Sequence, residues 1–418
     1  MTRFCAALSL CIAAALPAQP TRPVPANAPA ATAASTPTTS ARYRVSVLTF
    51  GQGDLVFERF GHNALRVVDV LTGADLAYNW GMFSFAQPNF LGRFLSGDTR
   101  YWVEAFPSQW LIDEYARQDR ETFEQDLNLT PEEAEQLAAA VATNALEANK
   151  FYRYDYFRDN CSTKLRDALD SALGGALKTQ FSVGTTLWTY RSESVRLTAA
   201  DGLAQAGIDI ALGPRADIPI TAWEAMFIPM RLRDYLPDVT VPAPGGGTRP
   251  LVAAERKLHS ARRAPELIER KGLSFGPWGP IIGAWVVLLI PLSAASRART
   301  RIPAALMAGL WYTVTGILGV ALLGMWLGSA HVFWYKNVNL FLLSPLALIA
   351  AWPAARAILR GTASPLARGL VAALTAMSVL ALLLGLFGVQ TMGGPLLLFL
   401  PANIGLAIAF WRHTRPAA

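Results

Sequence analysis

The last third of the sequence contains five apolar stretches that are each long enough to cross a lipid bilayer. They are Phe275–Ala295, Pro303–Leu327, Val338–Trp352, Gly369–Val389 and Pro395–Trp411. The third stretch is short, but its neighbours extend it. Apolar runs of this length span the hydrocarbon core as helices, because a helix satisfies its own backbone polar groups in lipid. We therefore predict an all-α transmembrane domain of five helices over residues 273–418.

The loops between these stretches predict the orientation of the domain. Arginines follow the first, third and fifth stretches, whereas the other two loops contain only Lys336 as a charged residue. Basic loops stay on the cytoplasmic side of a membrane. The sequence thus predicts a multi-pass protein of the bacterial inner membrane, with a periplasmic N-terminal domain and a cytoplasmic C-terminus.

The N-terminus has the pattern of an export signal. Arg3 precedes the apolar run Phe4–Leu16, which is too short to be a membrane span. We predict a signal peptide over residues 1–18, which removes Cys5 and Cys11, followed by a flexible Ala/Pro/Thr linker over residues 19–41. The formal charge of +7 lies partly in the arginines between apolar segments. It indicates a membrane partner with anionic lipids rather than nucleic acid.

Between the linker and the membrane, the pattern predicts an α+β domain over residues 42–241. Tyr43–Phe50 has a strand pattern, and Ala64–Val70 with Leu76–Phe83 predicts a hairpin about a glycine-containing turn. Helices are predicted over Ser108–Gln118 and over Pro131–Asn149, where Thr130 and Glu133 form a capping box.

The end of this domain and its connection to the membrane carry weaker patterns. Residues 202–241 are either a packing subdomain or an apolar lip that dips toward lipid. Residues 242–272 are predicted to be a linker, rich in turns over Pro242–Pro250, followed by the basic segment Arg256–Lys271 before the membrane.

Cys161 is the only cysteine that the exported protein is expected to keep. An extended run precedes it, and Leu165, Leu169 and Leu173 follow at helical spacing until Gly174. Cys161 therefore starts a helix that Asp159 or Asn160 can cap. The positive end of the helix dipole favours a nucleophilic thiolate there. The alternative is that Cys161 is a small buried apolar residue.

His62 is the candidate base for this thiol. The hairpin is expected to place it at a strand end, opposite Phe83 or Ser84, although a turn histidine bonded to backbone is the alternative. A strand histidine and a helix-start cysteine have the layout of a papain-like core in permuted order. No HExxH motif, Cys/His cluster or GxSxG elbow is present, so metal hydrolysis and serine lipase chemistry are disfavoured, and no cofactor is expected.

Several strings resemble one known family. ERFGHNALRVVD (58–69), YNWGMFSF (78–85), FLSGDTRYW (94–102) and YDYFRDNCSTKLRD (154–167), with ALGPRADIPITAWEAMF (211–227) and SAHVFWYKNVNLFLLSPL (329–346), are similar to the Lnb-type lipoprotein intramolecular transacylases. The resemblance implies a permuted papain-like fold, related to the NlpC-type peptidases, and transfer of an acyl chain onto the N-terminal amine of a bacterial lipoprotein. It implies that Cys161 is the nucleophile and His62 the base.

The third catalytic residue stays open at this point. Ser84 stands where the resemblance leads us to expect an acidic residue, and Asn79 and Asp69 are competitors. Asn160 and Tyr154, close to Cys161 in the sequence, are candidate substrate-binding residues.

The loop Ser329–Asn339 is predicted to be on the same side of the membrane as Cys161. His331, Lys336, Asn337 and Asn339 are polar at a depth that otherwise holds Leu and Val. The loop is either an interfacial belt or part of the entrance for a lipid ester, in which case His331 and Asn337 bind substrate.

The leading hypothesis is a membrane-anchored cysteine acyltransferase that acts through a thioester on lipoproteins or phospholipids. A cell-wall amidase or peptidase with the same Cys–His pair and a non-catalytic membrane assembly or transport module are the alternatives.

Overall fold

The computed structural model describes residues 41–263 and 298–416. They divide into two compact units. The sheet unit contains residues 41–94, 98–188 and 219–263, and the helical unit contains residues 95–97, 189–218 and 298–416. The predicted signal peptide, linker and first membrane span lie outside the described residues. The boundary predicted at residue 241 is wrong, because residues 189–218 cluster with the helical unit and the sheet unit continues past Val241.

The sheet unit is built on one seven-stranded antiparallel sheet. The strands of the unit are β1 (Tyr43–Phe50), β2 (His62–Asp69), β3 (Asp75–Met82), β4 (Arg100–Pro107), β5 (Thr122–Leu127), β6 (Phe151–Arg153), β7 (Thr240–Pro242), β8 (Thr248–Pro250) and β9 (Val252–His259). The order of the strands in the sheet is β6-β4-β3-β2-β1-β5-β9. The prediction of an α+β fold with strands first is confirmed.

The helices predicted from Ser108, Pro131 and Cys161 are present, although the second ends at Asn144 rather than Asn149. The described helices are α1 (Phe90–Ser96, shared between the units), α2 (Ser108–Arg117), α3 (Pro131–Asn144), α4 (Cys161–Ala172), α5 (Ala176–Phe181), α6 (Tyr190–Leu197), α7 (Gly202–Ala211), α8 (Ala222–Ala225), α9 (Pro229–Tyr235), α10 (Ala298–Gly328), α11 (Leu346–Arg360), α12 (Pro365–Leu386) and α13 (Gly393–His413). The capping box of α3 is present, since Glu133 N donates to Thr130 Oγ1 and Thr130 N donates to Glu133 Oε2.

The two faces of the sheet pack on different helices. Val47, Leu65 and Tyr78 belong to one core with α3 and α4. Phe50 and Ala77, on the other face, pack with residues of α2. This alternation follows from the period of two along each strand. β2 and α4 therefore share one core in the sheet unit, and the sheet supports both.

The segment predicted to be a linker before the membrane is in part a strand. β9 pairs with β5 and forms an edge of the sheet, and Arg256 binds Asp126 at 2.8 Å and Glu124 at 3.0 Å. The prediction of a linker over residues 242–259 is therefore wrong. The basic residues of β9 mark a charged edge strand, which discourages pairing with other chains.

The residues that were open to interpretation as an apolar lip are mostly buried in the sheet unit. Met226, Phe227 and Pro229 belong to its interior, and Trp223 is half-buried over the Arg166 guanidinium. The packing interpretation is thus correct for residues 219–241.

Four described helical segments are long and apolar enough to cross a membrane. They are Arg301–Gly328, Val338–Arg360, Pro365–Leu386 and Gly393–His413. They match the second to fifth predicted spans. Gly316 allows α10 and α11 to pack closely, because a Cβ at Gly316 would lie 2.5 Å from the backbone nitrogen of Leu348. The short strands β10 (Thr362–Ala363) and β11 (Arg415–Pro416) pair in this unit.

Candidate active site

Cys161 is the first residue of α4, as predicted, and Asn160 is the cap. Asn160 Oδ1 accepts from Thr163 N at 2.9 Å, while Asn160 N donates to Thr163 Oγ1 at 2.8 Å. Asp159, the other candidate cap, instead binds Lys164 at 2.6 Å. The cap leaves the N–H groups of the first helical residues, Cys161 and Ser162, directed at the thiol.

Asn160 also ties the start of α4 to the following segment of the sheet unit. Its Nδ2 donates to Tyr156 O at 3.0 Å and to Phe227 O at 2.8 Å, and Ser162 Oγ donates to Met226 O at 2.7 Å. Both amide hydrogens and the amide oxygen of Asn160 are therefore used by the protein. These contacts favour a positioning role over the substrate-binding role that the sequence suggested.

His62 is the first residue of β2, next to Gly61, whose φ is 79°. Its ring lies parallel to that of Tyr115, with centroids 5.9 Å apart. The register of β2 and β3 pairs Leu65 with Tyr78 and, continued to the strand ends, sets His62 opposite Gly81. The prediction that Phe83 or Ser84 lies opposite His62 is wrong, because the turn is tighter than assumed.

Gly81 is the point where the thiol and the imidazole approach each other. A Cβ placed on Gly81 would lie 3.5 Å from Cys161 Cβ and 3.8 Å from His62 Cε1. Gly81 has φ +92°, a conformation that side chains disfavour, and the ladder with β4 shifts register between Trp80 and Met82. The structure thus brings Cys161 and His62 together around a residue that has no side chain.

Asn79 is the residue that contacts the base. His62 Nε2 and Asn79 Oδ1 form a short hydrogen bond, and Asn79 Nδ2 donates to Met82 Sδ at 3.4 Å. Because an amide oxygen only accepts, the ring nitrogen facing it carries the proton. The other ring nitrogen, Nδ1, is then free of a proton and able to accept one from the thiol.

The two competitors for this position lie in other contacts. Ser84 Oγ accepts from Ala86 N at 3.1 Å in the turn after β3. Asp69 binds Arg42 at 2.9 Å and is at the opposite end of β2 from His62. Among the three residues that the sequence left open, the described contacts join only Asn79 to His62.

Burial dominates the electrostatics of the pair. Burial raises the pKa of Cys161 to about 11, although the backbone N–H groups of Asn63, Ser162 and Cys161 itself lower it. Burial lowers the pKa of His62 to about 4; the hydrogen bond to Asn79 opposes this shift and the charge of Arg120 adds to it. At neutral pH both groups are uncharged. Desolvation of Cys161 thus outweighs the helix dipole, which favours a thiolate at this position.

Arg120 is a buried cation that the sequence did not single out. Its Nε donates to Gly51 O at 2.9 Å, and its guanidinium lies over the Tyr115 ring at 4.5 Å. Within residues 41–263 and 298–416, its Nη2 has no hydrogen-bond partner. Arg120 and His62 therefore both stack on Tyr115, so a fixed positive charge lies close to the base.

Tyr154, a predicted substrate-binding residue, is in the sheet unit with the thiol. Its ring stacks on Tyr101 with centroids 4.1 Å apart. Burial raises the pKa of Tyr154 well above its ordinary value, and the negative charge that Cys161 can carry raises it further.

His331 and Asn337, the other predicted substrate-binding residues, belong to the helical unit. Asn337 Nδ2 donates to Ile210 O and Ala211 O, both at 2.8 Å, and Asn337 Oδ1 accepts from Gln390 at 3.1 Å. His331 is buried and stacks on Trp334 at 5.7 Å. The contacts of Asn337 hold the end of α7 in this unit, which accounts for a buried polar residue without substrate.

Of the described residues, no group of three His, Cys, Asp or Glu side chains is arranged to hold a metal ion. The site in the sheet unit consists of a neutral thiol, a neutral imidazole oriented by an amide, and convergent backbone N–H groups. Such a site can transfer acyl groups through a covalent intermediate.

The sequence offered one unused signal for this geometry. Gly81 interrupts the strand pattern of Leu76–Met82, and a glycine inside a strand often marks a bulge or a close approach of backbone. Arg120 and Tyr115 gave no comparable signal, because their positions beside His62 depend on how α2 packs on the sheet.

Two family models match the chain. The Lnb N-terminal periplasmic domain matches residues 32–194, and the Lnb transmembrane domain matches residues 272–412. No curated protein and no solved structure shows significant similarity to the sequence. With both domains matched in order and four membrane-spanning helices described, the chain belongs to the Lnb family and combines a periplasmic domain with a C-terminal membrane domain.

Proposed function

We propose that this protein is a membrane-anchored cysteine acyltransferase that acts through a thioester on bacterial lipoproteins at the periplasmic face of the inner membrane. The observation that carries the proposal is the arrangement of Cys161, His62 and Asn79 around Gly81. The two Lnb domain matches connect this chemistry to lipoproteins. The proposed fold of the sheet unit is a permuted papain-like one, and the proposed membrane domain has five helices with a cytoplasmic C-terminus.

The first half of the reaction begins from the neutral pair. His62 Nδ1 takes the thiol proton while Sγ of Cys161 attacks the carbonyl carbon of an ester. The N–H groups of Cys161 and Ser162, at the start of α4, are the candidate donors to the oxyanion. When the C–O bond breaks, the imidazolium returns its proton to the departing alkoxide. The products are an alcohol and an acyl-Cys161 thioester.

The second half regenerates the thiol. The amine of the lipoprotein N-terminus attacks the thioester carbonyl, an amide bond forms and the C–S bond breaks. The amine gives up one proton, through His62, to the departing sulfur. A thioester reacts more readily with an amine than an oxygen ester does, so the intermediate makes amide formation accessible.

Asn79 acts as a positioning residue in both halves. Its amide oxygen keeps the proton on Nε2, so that Nδ1 faces the sulfur, and it stabilises the imidazolium that forms in each transition state. The positive charge of Arg120 destabilises the imidazolium and stabilises a negative charge on the sulfur or on the oxyanion.

Mass spectrometry of lipoprotein N-termini tests the proposal. Cells that express the wild-type protein should show an amide-linked acyl chain on the N-terminal cysteine, which cells with Cys161→Ser or His62→Ala should lack. Ser84→Ala is the matched control, because Ser84 lies near the site in sequence but outside its contacts, and it should retain acylation.

Three outcomes contradict the proposal. Unchanged acylation in Cys161→Ser removes the thiol mechanism. A change in muropeptides without a change in lipoproteins assigns the site to cell-wall hydrolysis instead. No change in either, with the protein present in the membrane, leaves a non-catalytic membrane module.

A further inference from the structure

A row of aromatic side chains extends from the neighbourhood of the thiol to the surface of the sheet unit. We call it the aromatic row; its members are Tyr154, Tyr101, Phe83, Phe85, Phe90 and Phe57. Successive centroids are 4.1 Å apart from Tyr154 to Tyr101, 5.1 Å from Tyr101 to Phe83 and 5.0 Å from Phe83 to Phe85. Phe90 and Phe57 flank Phe83 at 6.1 Å and 5.7 Å.

The inner end of the row is at the candidate active site. Phe83 follows Gly81 by two residues, and Gly81 is the position whose missing Cβ would lie 3.5 Å from Cys161 Cβ. Two residues of extended chain cover about 7 Å. The ring of Tyr154, which precedes Cys161 by seven residues, stacks on Tyr101 at the same end of the row. The row therefore begins two residues along the chain from the position where Cys161 and His62 approach each other.

The outer end of the row is exposed, and two charged residues, Glu58 and Arg59, follow Phe57 in the sequence. Phe57 is 49% exposed and Phe85 is 46% exposed, although both are large apolar side chains. The sequence from Leu76 to Gly92 contains no charged residue. Contiguous exposed aromatic surface of this kind marks a binding site for an apolar ligand or partner.

We propose that the aromatic row binds the fatty acyl chain of the substrate, with the ester carbonyl at Cys161 and the chain running past Tyr101 and Phe83 to Phe85 and Phe57. The proposal rests on the proposed function, since it names the group that an acyl-transferring thiol would accept. A glycan or a stem peptide needs hydroxyl, amide or charged partners, whereas Phe57 and Phe85, the exposed members of this row, offer apolar ring surface. The continuity from the thiol to the surface favours one extended apolar chain as the occupant.

Alkylation of Cys161 by reagents of different chain length tests the proposal without any need for acyl transfer. The full-length protein in detergent micelles is treated at pH 9 with N-methyl, N-octyl or N-tetradecyl bromoacetamide, and mass spectrometry of the Cys161 peptide gives the rate. In the wild type, the tetradecyl reagent should react at least tenfold faster than the methyl reagent, since each buried methylene contributes about fourfold.

The variants Phe85→Ser and Phe57→Ser should lower this rate ratio at least fivefold, while the methyl reagent reacts within about twofold of its wild-type rate. Trp110→Ser is the matched control, because Trp110 is an aromatic residue of the same unit that is 39% exposed and does not belong to the row. Its ring contacts Phe106, which pairs with Ala77, four residues before Gly81. Micelles concentrate the long reagent equally for all variants, so the comparison isolates the effect of the rings.

Equal rate ratios in Phe85→Ser, Phe57→Ser and Trp110→Ser overturn the proposal. So does a change of oligomeric mass in Phe85→Ser at an unchanged ratio, because the rings then serve a protein contact. If one phenylalanine variant loses its thermal transition, the other carries the test. If the rate ratio depends on the phenylalanine rings but the protein leaves lipoproteins unmodified, the acyl-chain site is supported and the proposed function is contradicted. If the protein modifies lipoproteins but the rate ratio does not depend on the rings, the proposed function is supported and the acyl-chain site is contradicted.

Discussion

His62 on β2 and Asn79 on β3 are joined through Nε2 and Oδ1, although they are diagonal rather than direct neighbours in the sheet. Gly81 occupies the direct position opposite His62, and Asn79 lies two residues earlier on the same face. The diagonal contact leaves the space beside the imidazole open toward Cys161. The proposed chemistry depends on both neighbours: Asn79 orients the imidazole, and Gly81, which has no side chain, leaves space between the imidazole and Cys161.

Replacement of Asn79 should change the rate and the pH profile of the reaction in a defined manner. In Asn79→Ala, kcat should fall roughly 10- to 100-fold, because a hydrogen bond to a charged group is worth about 1.5–3 kcal/mol and forms fully only with the imidazolium. In Asn79→Asp, the carboxylate favours imidazolium and should move the acid limb of kcat/KM to higher pH. Asp69→Asn breaks the pair with Arg42 at the opposite end of β2 from His62, and it should leave the pH profile unchanged. An Asn79→Asp profile that matches the wild type contradicts the assigned role.

Gly81→Ala should separate activity from stability. The methyl group has ordinary contact distances to Cys161 and His62, but φ +92° penalises any side chain by about 1 kcal/mol. We expect activity to fall at least tenfold, because the methyl group fills the gap in which the proton moves. Gly73→Ala has a similar conformational cost at φ +75° with nothing within 4 Å, and it is the matched control. Thermal unfolding and acylation measured on both variants check the prediction, and equal activity loss in the two contradicts it.

The thiol should behave as a neutral group in solution. Because the pKa of Cys161 is about 11, its alkylation by iodoacetamide should accelerate about tenfold per pH unit from pH 7 to pH 10 without a plateau. A plateau near neutral pH would indicate a resting thiolate. The second-order rate constant against pH, followed on the Cys161 peptide, is the measurement.

Arg120 should extend the acid limit of activity to lower pH, in addition to the larger effect of burial on His62. The pKa of His62 is about 4, and imidazole protonates below it, so activity should persist to about pH 5 and fall at lower pH. Arg120→Gln removes a positive charge that opposes imidazolium. The acid limb should then move upward by roughly one pH unit. Arg120→Lys keeps the charge and should keep the limb in place. If the glutamine and lysine variants have the same pH profile, Arg120 acts through packing alone.

Reporter fusions should reveal the orientation of the membrane domain. A periplasm-dependent alkaline phosphatase fused after Trp334 should be active, and one fused after Arg299 should be inactive, because arginine loops remain cytoplasmic. The opposite pattern would place the C-terminus outside and remove the proposed compartment of Cys161.

Local signals in the sequence predicted much of this protein correctly. The Cys161 helix, the cap at Asn160 and the hairpin of β2 and β3 depend on residues that are neighbours in the chain. The same holds for the four described spans, whose length and hydropathy suffice.

Features that depend on register or burial were missed or predicted wrongly. The position of Gly81 opposite His62 depends on the length of one turn, and the sequence instead placed Phe83 or Ser84, two or three residues later, opposite His62. The charge state of Cys161 depends on how much solvent the folded chain removes. β9 was missed because its charged residues resemble a juxtamembrane segment until Glu124 and Asp126 are seen beside Arg256.

Because the resting Cys161 thiol is neutral, it should resist oxidation in an oxidising compartment. Disulfide exchange and peroxide oxidation both proceed through thiolate, and a thiol with a pKa of about 11 is ionised in only about one molecule in ten thousand at pH 7. Its own protonation therefore protects Cys161 from oxidants, and in the proposed reaction the thiol is activated when His62 takes its proton. Under the proposed function, the nucleophile would stay usable between turnovers without a dedicated reductant.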